Sequence, residues 1–340
     1  MATVMQPDIN IGPSAVIAGW IEAGIAIIVV TARTYTQAKV VGRMGAEDYI
    51  MILSLIVAML NTSLITHAVS WGIGRHIYYL TPEETINAIK FEFIAQTPGI
   101  VAPALARISF AIYLLKFVGT SKFRRYLLWS VVWTQAIFNI IQLVLIFAQC
   151  EHFAALWNPA VGGKCWSRKV QVDSGYFLGA LNCIHDLILT FLPVVVLKDL
   201  NITRRIKVIL GVLMSMSIFA FAASIVKTIE LGNLGKVSDF TYFTVSFIIW
   251  FTIENYVVII AASIPSLRPL LLHVKKQVTS QGDSYAMNTY GAKRATKGYM
   301  PYGEGRDGTL KSTNNRTTTN VTGSGALRAI MELRRGWMLW

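Results

Sequence analysis

Seven runs of mostly apolar residues, each near the roughly 20 residues that a bilayer-crossing helix needs, alternate with short polar stretches. They predict helices at about 14–32, 49–69, 89–117, 126–149, 175–197, 207–228 and 241–264. The expected fold is all-α: a polytopic membrane protein whose seven-helix bundle spans 14–273. A short extracellular N-terminus, 1–13, would precede it, and a basic, mostly disordered cytoplasmic tail, 274–340, would follow. The third run is the least apolar. It contains Lys90, Glu92, Gln96 and Arg107, and Pro98 and Pro103 are expected to kink it.

Composition agrees with lipid as the solvent. Of 340 residues, 54% are hydrophobic and 14% charged, against about 25% charged in soluble domains. The net charge of +13 sits in short loops and the tail rather than along one amphipathic face, which argues against a nucleic-acid partner. With the N-terminus outside, the inner loops hold eleven Lys and Arg (Arg33, Lys39, Arg43, Lys116, Lys122, Arg124, Arg125, Lys198, Arg204, Arg205, Lys207) and the outer loops five (Arg75, Lys164, Arg168, Lys169, Lys236). That bias supports an N-out, C-in orientation. Residues 1–13 lack a basic leader, so the first span reads as signal-anchor-like. The sequons at Asn201, Asn315 and Asn320 fall on the expected inner side, and Asn61 lies within the second span, so none is expected to be glycosylated. The end of the tail, 326–340, mixes Leu, Met and Trp with Arg328, Arg334 and Arg335; it reads either as a short helix on the inner leaflet or as a frayed end.

Polar residues inside a membrane are expensive, and each is a site candidate. In the third span Glu92, Gln96, Gly99, Pro103 and Arg107 recur at helical spacing and share one face. The fifth span carries Asn182, His185 and Asp186, the seventh Glu254 and Asn255, and the sixth Lys227 and, near its outer end, Glu230. An unpaired buried charge costs several kcal/mol, so Arg107 is expected to pair with Asp186 or Glu254. Arg107, Asp186 and Glu254 are thus candidates for a charge lock or switch. Glu92, Gln96, Asn182, His185 and Asp186 are the candidate ligand contacts.

Cys150 and Cys165 share an outer loop with Trp157 and Trp166, in an oxidising compartment, and a disulfide between them is expected. Cys183, inside the fifth span, reads as a packing residue. The loop Trp71-Gly72-Ile73-Gly74-Arg75-His76 reads first as a packed anchor, with Arg75 and His76 as possible contacts for an acidic ligand. No Cys/His set has metal-ligand spacing, and no metal or cofactor is expected. Walker, Gly-x-Ser-x-Gly and His-Glu-x-x-His motifs are missing. The seventh span has no Lys for a retinal Schiff base. The third does not end in Asp-Arg-Tyr or Glu-Arg-Tyr, and Asn255-Tyr256 is only a fragment of Asn-Pro-x-x-Tyr. The familiar animal receptor machinery is therefore not indicated.

An ordered set of residues resembles the fungal rhodopsin-like-domain membrane proteins, a group with satratoxin-cluster and pathogenicity-associated receptor-like members. The set runs through Glu47-Asp48, Gly72-x-Gly74-Arg75-His76, Arg107-x-Ser109, Tyr113, Lys116 and Trp133. It continues through Cys150, Trp157, Cys165, Asn182, Asp186, Pro193, Glu254, Ala262-Ser263-Ile264-Pro265 and Leu267-Arg268-Pro269-Leu270. It covers about 14–273. The resemblance implies seven helices and a role often tied to secondary-metabolite clusters, and it does not imply retinal. Relatives often carry Lys at the position of Arg107, and some carry a Cys-rich module before the first span; here only about 13 residues precede it.

Two functional readings follow. In the first, the chain is receptor-like: a small lipophilic ligand, entering from outside or from lipid, shifts the charged residues and signals to a cytoplasmic partner. The plasma membrane is the preferred location, with an internal membrane as the alternative. In the second, it is a membrane-embedded enzyme, an acid–base cyclase or isomerase of a lipophilic intermediate, with Asp186, Glu254 and Glu92 as the candidate catalytic groups. A transporter is less favoured because no inverted repeat is visible.

Overall fold

The computed structural model describes residues 8–116, 121–198, 240–267 and 269, with scattered positions between 211 and 230. The chain divides into two units, 1–283 and 284–340, and the described residues all lie in the first. Six helices among them are long and apolar enough to cross a membrane. They are α1 Gly12–Tyr35, α2 Ala46–Ser70, α3 Pro82–Leu115, α4 Lys122–Ala148, α5 Arg168–Lys198 and α6 Phe240–Ser263. They correspond to the first five predicted spans and the seventh. The sixth, 207–228, lies largely outside the described residues; Gly211, Ser215 and Ala223, which are described, are helical. The expected tail lies outside them too. The fold is a helical membrane bundle.

Its outer surface is apolar. Ile17, Ile21, Ile25 and Ile28 of α1, and Trp133, Ile137, Ile140 and Val144 of α4, are all exposed. Many polar side chains instead point inward, the reverse of a soluble bundle. α3 is the hub, packing against α2, α4, α5 and α6, with its broadest interface on α2. Small residues permit that approach. Ala95, Ala102 and Ala106 of α3 are fully buried, Ser54 donates to the Ala102 carbonyl at 2.7 Å, and Asn61 donates to the Ala95 carbonyl at 2.7 Å. Gly99 lies against the Phe251 ring, and any larger residue would collide with it.

α3 begins at Pro82 rather than near 89 because its first turn is set by capping chemistry, not hydropathy. The Thr81 N–H and hydroxyl donate to Glu84 Oε2, each at 2.8 Å, and the Glu84 N–H donates back to Thr81 Oγ1 at 3.3 Å. Pro82 occupies the first turn, where no N–H is needed. The helix continues through Pro98 and Pro103 without a break.

The two ends of the bundle are closed by different means. At the outer end the 71–76 loop packs as an anchor. Gly74 has φ 104° and abuts the backbone of Gly12, a position open only to glycine. Its N–H donates to the Thr241 carbonyl at 3.0 Å, and its carbonyl accepts from Ile11 at 3.0 Å. His76 stacks on Tyr242 with ring centroids 4.0 Å apart. Arg75 pairs with Asp8, its Nε 3.3 Å from Oδ1, and that hydrogen bond holds the exposed Asp8 carboxyl below its ordinary pKa.

At the inner end four helices are tied together. Arg33, counted above among the loop cations, is instead 1% exposed inside α1. Its Nε donates to Asp48 Oδ1 at 3.1 Å, its Nη1 donates to the Ala262 carbonyl at 2.9 Å, and its guanidinium lies 5.6 Å from the Tyr113 ring centre. Next to it Lys116 of the α3 C-cap pairs with Glu47, and Ser109 donates to the Glu47 carbonyl at 2.6 Å. The Glu47-Asp48 pair thus anchors α2 to α1 and α3.

Candidate functional site

Arg107 enters the bundle on the buried face of α3 and meets carboxylates from two other helices. Its Nε and Nη2 donate to Asp186 Oδ1 and Oδ2 at 2.8 and 2.9 Å, a bidentate pair. The same Nη2 lies 3.6 Å from Glu254 Oε1. Arg107 is 1% exposed, Glu254 2% and Asp186 11%. The third Arg107 nitrogen, Nη1, has no hydrogen-bond partner among the described residues. One cation is therefore shared, unequally, between two buried anions on α5 and α6. The expectation that Arg107 would pair with Asp186 or Glu254 resolves into both.

The other candidates fall into two groups. On α3, Gln96 donates to Glu92 Oε1 at 3.0 Å, while Glu92 Oε2 is buried without a partner among the described residues. On α5, Asn182 and His185 turn toward α4 rather than toward Asp186's partners. His185 Nδ1 lies 2.5 Å from Gln135 Oε1, and Nε2 lies 2.9 Å from Thr134 Oγ1. Gln135 Nε2 donates to Asn182 Oδ1 at 3.1 Å. Cys183, between them, is half-buried and forms no disulfide.

Several buried polar residues escaped the sequence reading. α4 packs inward through Leu128, Val131, Gln135, Asn139, Gln142 and Ile146, so its outer half presents carboxamides where an apolar seam is the norm. The signal was available as three amides at helical spacing inside an apolar run. Glu22, a carboxylate in the middle of α1, escaped for the same reason: it sits alone in a strongly apolar segment. It lies near Thr252 of α6, and its Oε2 is buried without a hydrogen-bond partner among the described residues. One turn further along α6, the Tyr256 hydroxyl lies 2.7 Å from Thr62 Oγ1 and donates to the Ala58 carbonyl at 3.2 Å.

The outer loop between α4 and α5 carries the expected disulfide, Cys150–Cys165. Backbone bonds flank it: Trp166 N–H to the Gln149 carbonyl at 2.8 Å, and Glu151 N–H to the Lys164 carbonyl at 3.2 Å. Phe153 and Trp157 pack edge to face within the loop, 4.8 Å between centroids. Glu230 accepts from Ser246 of α6 at 3.3 Å. Lys227 lies outside the described residues.

Similarity to known proteins follows the same frame. A polyenoic acids biosynthesis gene cluster protein, Ba17b, of Metarhizium anisopliae is 24% identical over 273 residues, covering 73% of this chain and 70% of its own length. A SAT4 family membrane protein of Emericella nidulans is 24% identical over 206 residues, covering 59% of this chain; the chain spans 51% of that relative. No solved structure matches. The fungal rhodopsin domain matches residues 32–273, from the inner end of α1 past α6 and with the whole Arg107–Asp186–Glu254 cluster inside it. The chain is a multi-pass membrane protein and belongs to the fungal rhodopsin domain family.

Proposed function

We propose that this chain is a receptor-like membrane protein in which a small lipophilic ligand redistributes Arg107 between Asp186 and Glu254. The observation that carries the reading is the unequal sharing of one buried guanidinium: two close hydrogen bonds to Asp186 and a looser 3.6 Å approach to Glu254. Two anions facing one cation offer two arrangements, and a ligand that favours one shifts the population. Both Asp186 oxygens are occupied by hydrogen bonds from Arg107, and that geometry favours the lock over catalysis at this residue. The lipid bilayer is the medium, a cytoplasmic signalling protein is the expected reader of the inner loops, and the plasma membrane is the preferred location.

The test uses single reporter cysteines in the inner loops 33–48 and 118–125, labelled in membranes with a thiol reagent. Asp186→Asn frees Arg107 toward Glu254, and Glu254→Gln commits it to Asp186. The two variants should move labelling in opposite directions. Identical labelling in both refutes the switch.

A second reading is supported by the Glu92 oxygen without a partner and by the relative named for a polyenoic acids cluster. In it the chain performs acid–base chemistry on a lipophilic intermediate, with Glu92 as the proton-carrying group. A strain lacking the protein would then accumulate one intermediate, and microsomes bearing wild type but not Glu92→Gln would convert it.

A further inference from the structure

A cleft opens between α4 and α5 directly beneath the disulfide loop. Its accessible volume is about 10 Å³, room for a single water-sized group, and its wall includes Gln142, Gln149, Trp166, Ser167 and Ser174. None of its eight lining residues carries a charge.

Gln142 is the observation that makes it more than a surface crease. The side chain is 7% exposed, faces the cleft and makes no hydrogen bond within the described residues. Its amide atoms are not among the fully buried ones, so they are open to what enters the cleft, and a carboxamide on a lipid-bathed helix is costly until it finds a partner. The same face of α4 then carries Asn139, which donates to the Gln135 carbonyl at 2.6 Å, and Gln135, which is bonded to Asn182 and His185. Amides at 135, 139 and 142 rise about 10 Å along the helix at 1.5 Å per residue. The row is satisfied at its inner end and open at its outer end, where the cleft reaches it.

We infer that this cleft binds the hydroxyl or carbonyl end of an uncharged lipophilic molecule, with the Gln142 carboxamide as its hydrogen-bonding partner. A carboxamide both donates and accepts, so it suits a neutral polar group. The uncharged lining offers no counter-ion to an acid or an amine, whose desolvation would go uncompensated. Leu145, Ile146 and Trp166 supply apolar contact for the carbon skeleton. The inference rests on the receptor-like reading for its purpose, but binding is measurable without it.

The experiment uses the full chain in lipid nanodiscs and three probes that share one bromophenyl body, with bromine close to the polar end: 4-bromobenzyl alcohol, 4-bromobenzoate and 4-bromobenzylammonium. Bromine quenches tryptophan on contact, and Trp166 lines the cleft. The alcohol should quench saturably, and that component should vanish in Trp166→Phe. Losing one neutral hydrogen bond in Gln142→Leu should weaken it by about tenfold, and the charged probes should bind at least as weakly. Gln142→Leu should melt no lower than wild type, because an unpartnered amide is removed; Gln142→Met replaces it if the leucine variant fails to fold. Quenching that never saturates, that is equal in the Gln142 variant, or that is equal for all three probes overturns the site. Loop labelling on the same samples separates the two readings. Saturable Trp166 quenching without a loop response upholds the cleft and refutes the receptor. A loop response without Trp166 quenching refutes the cleft alone.

Discussion

Replacing Arg107 by Met removes from Asp186 and Glu254 the cation that they share. The local formal charge changes from −1 to −2, and the side chain removed is 1% exposed. Breaking a buried ion pair from one side costs about 3–5 kcal/mol, mostly the penalty of the charge left behind. At about 2–4 °C per kcal/mol for a chain of this size, the melting point should fall by roughly 10 °C. Asp186→Asn should cost less, about 1.5–3 kcal/mol, since the amide oxygen still accepts from Arg107 and Glu254 remains as counter-charge. The decisive variant carries Arg107→Met, Asp186→Asn and Glu254→Gln together. It removes all three charges, so much of the loss in the single Arg107 variant should return, as expected when a buried charge cluster is replaced as a whole. The assay is thermal unfolding in detergent, followed by the fluorescence of the size-exclusion peak. An Arg107→Met protein melting within about 2 °C of wild type would refute the argument that this guanidinium is a buried lock. So would a triple variant less stable than the single one.

Two further outcomes follow from the outer end. The Asp8 carboxyl is held below its ordinary 3.8 by Arg75, so the tie between the N-terminal segment and the 71–76 loop is fully present above that value and lost as pH falls through the lowered one; hydrogen exchange at residues 8–12 should rise in that acid window, and Asp8→Asn should abolish the pH dependence. The Cys150–Cys165 bridge closes a sequence separation of 15 residues, worth about 3 kcal/mol in chain entropy, so Cys150→Ser with Cys165→Ser should speed proteolysis of the 149–167 loop while leaving the reporter signal of the inner loops unchanged.

Much of the bundle was legible because lipid imposes a simple rule: long apolar runs are spans, and polar residues within them face inward. That rule located Arg107, Asp186 and Glu254 and anticipated their pairing. It read poorly wherever chemistry other than hydropathy decides. The first turn of α3 is fixed by Thr81 and Glu84, which lie outside the apolar run. Arg33 looked like a loop cation because it follows the first span, yet α1 continues past it and Asp48 draws it inside. Gln135, Asn139 and Gln142 were overlooked because α4 is apolar on average; only their spacing marks the buried face. Where Asn182 and His185 point could not be read from α5 alone, since the amide that receives them lies on α4.

These contacts form one connected chain of parts. Gln135, two turns inward of the cleft's Gln142 on the same face of α4, bonds Asn182 and His185 of α5, and the next residue on α5, Asp186, holds Arg107. Arg107 sits on the same helix as Ser109 and Tyr113, with Lys116 at its cap, and these grip Glu47 and Arg33 at the inner end. α3 is continuous from Pro82 to Leu115, so a change in how Arg107 is held is passed along a single rigid element. Physical coupling requires an element with two arrangements that both sites bias, not proximity alone. Among the described residues, the shared guanidinium is the part with two anionic partners at different distances. If a ligand beneath the disulfide loop alters the inner loops, Asp186 and Glu254 are where the choice is made, and making both neutral should uncouple the two ends while leaving binding at the cleft intact.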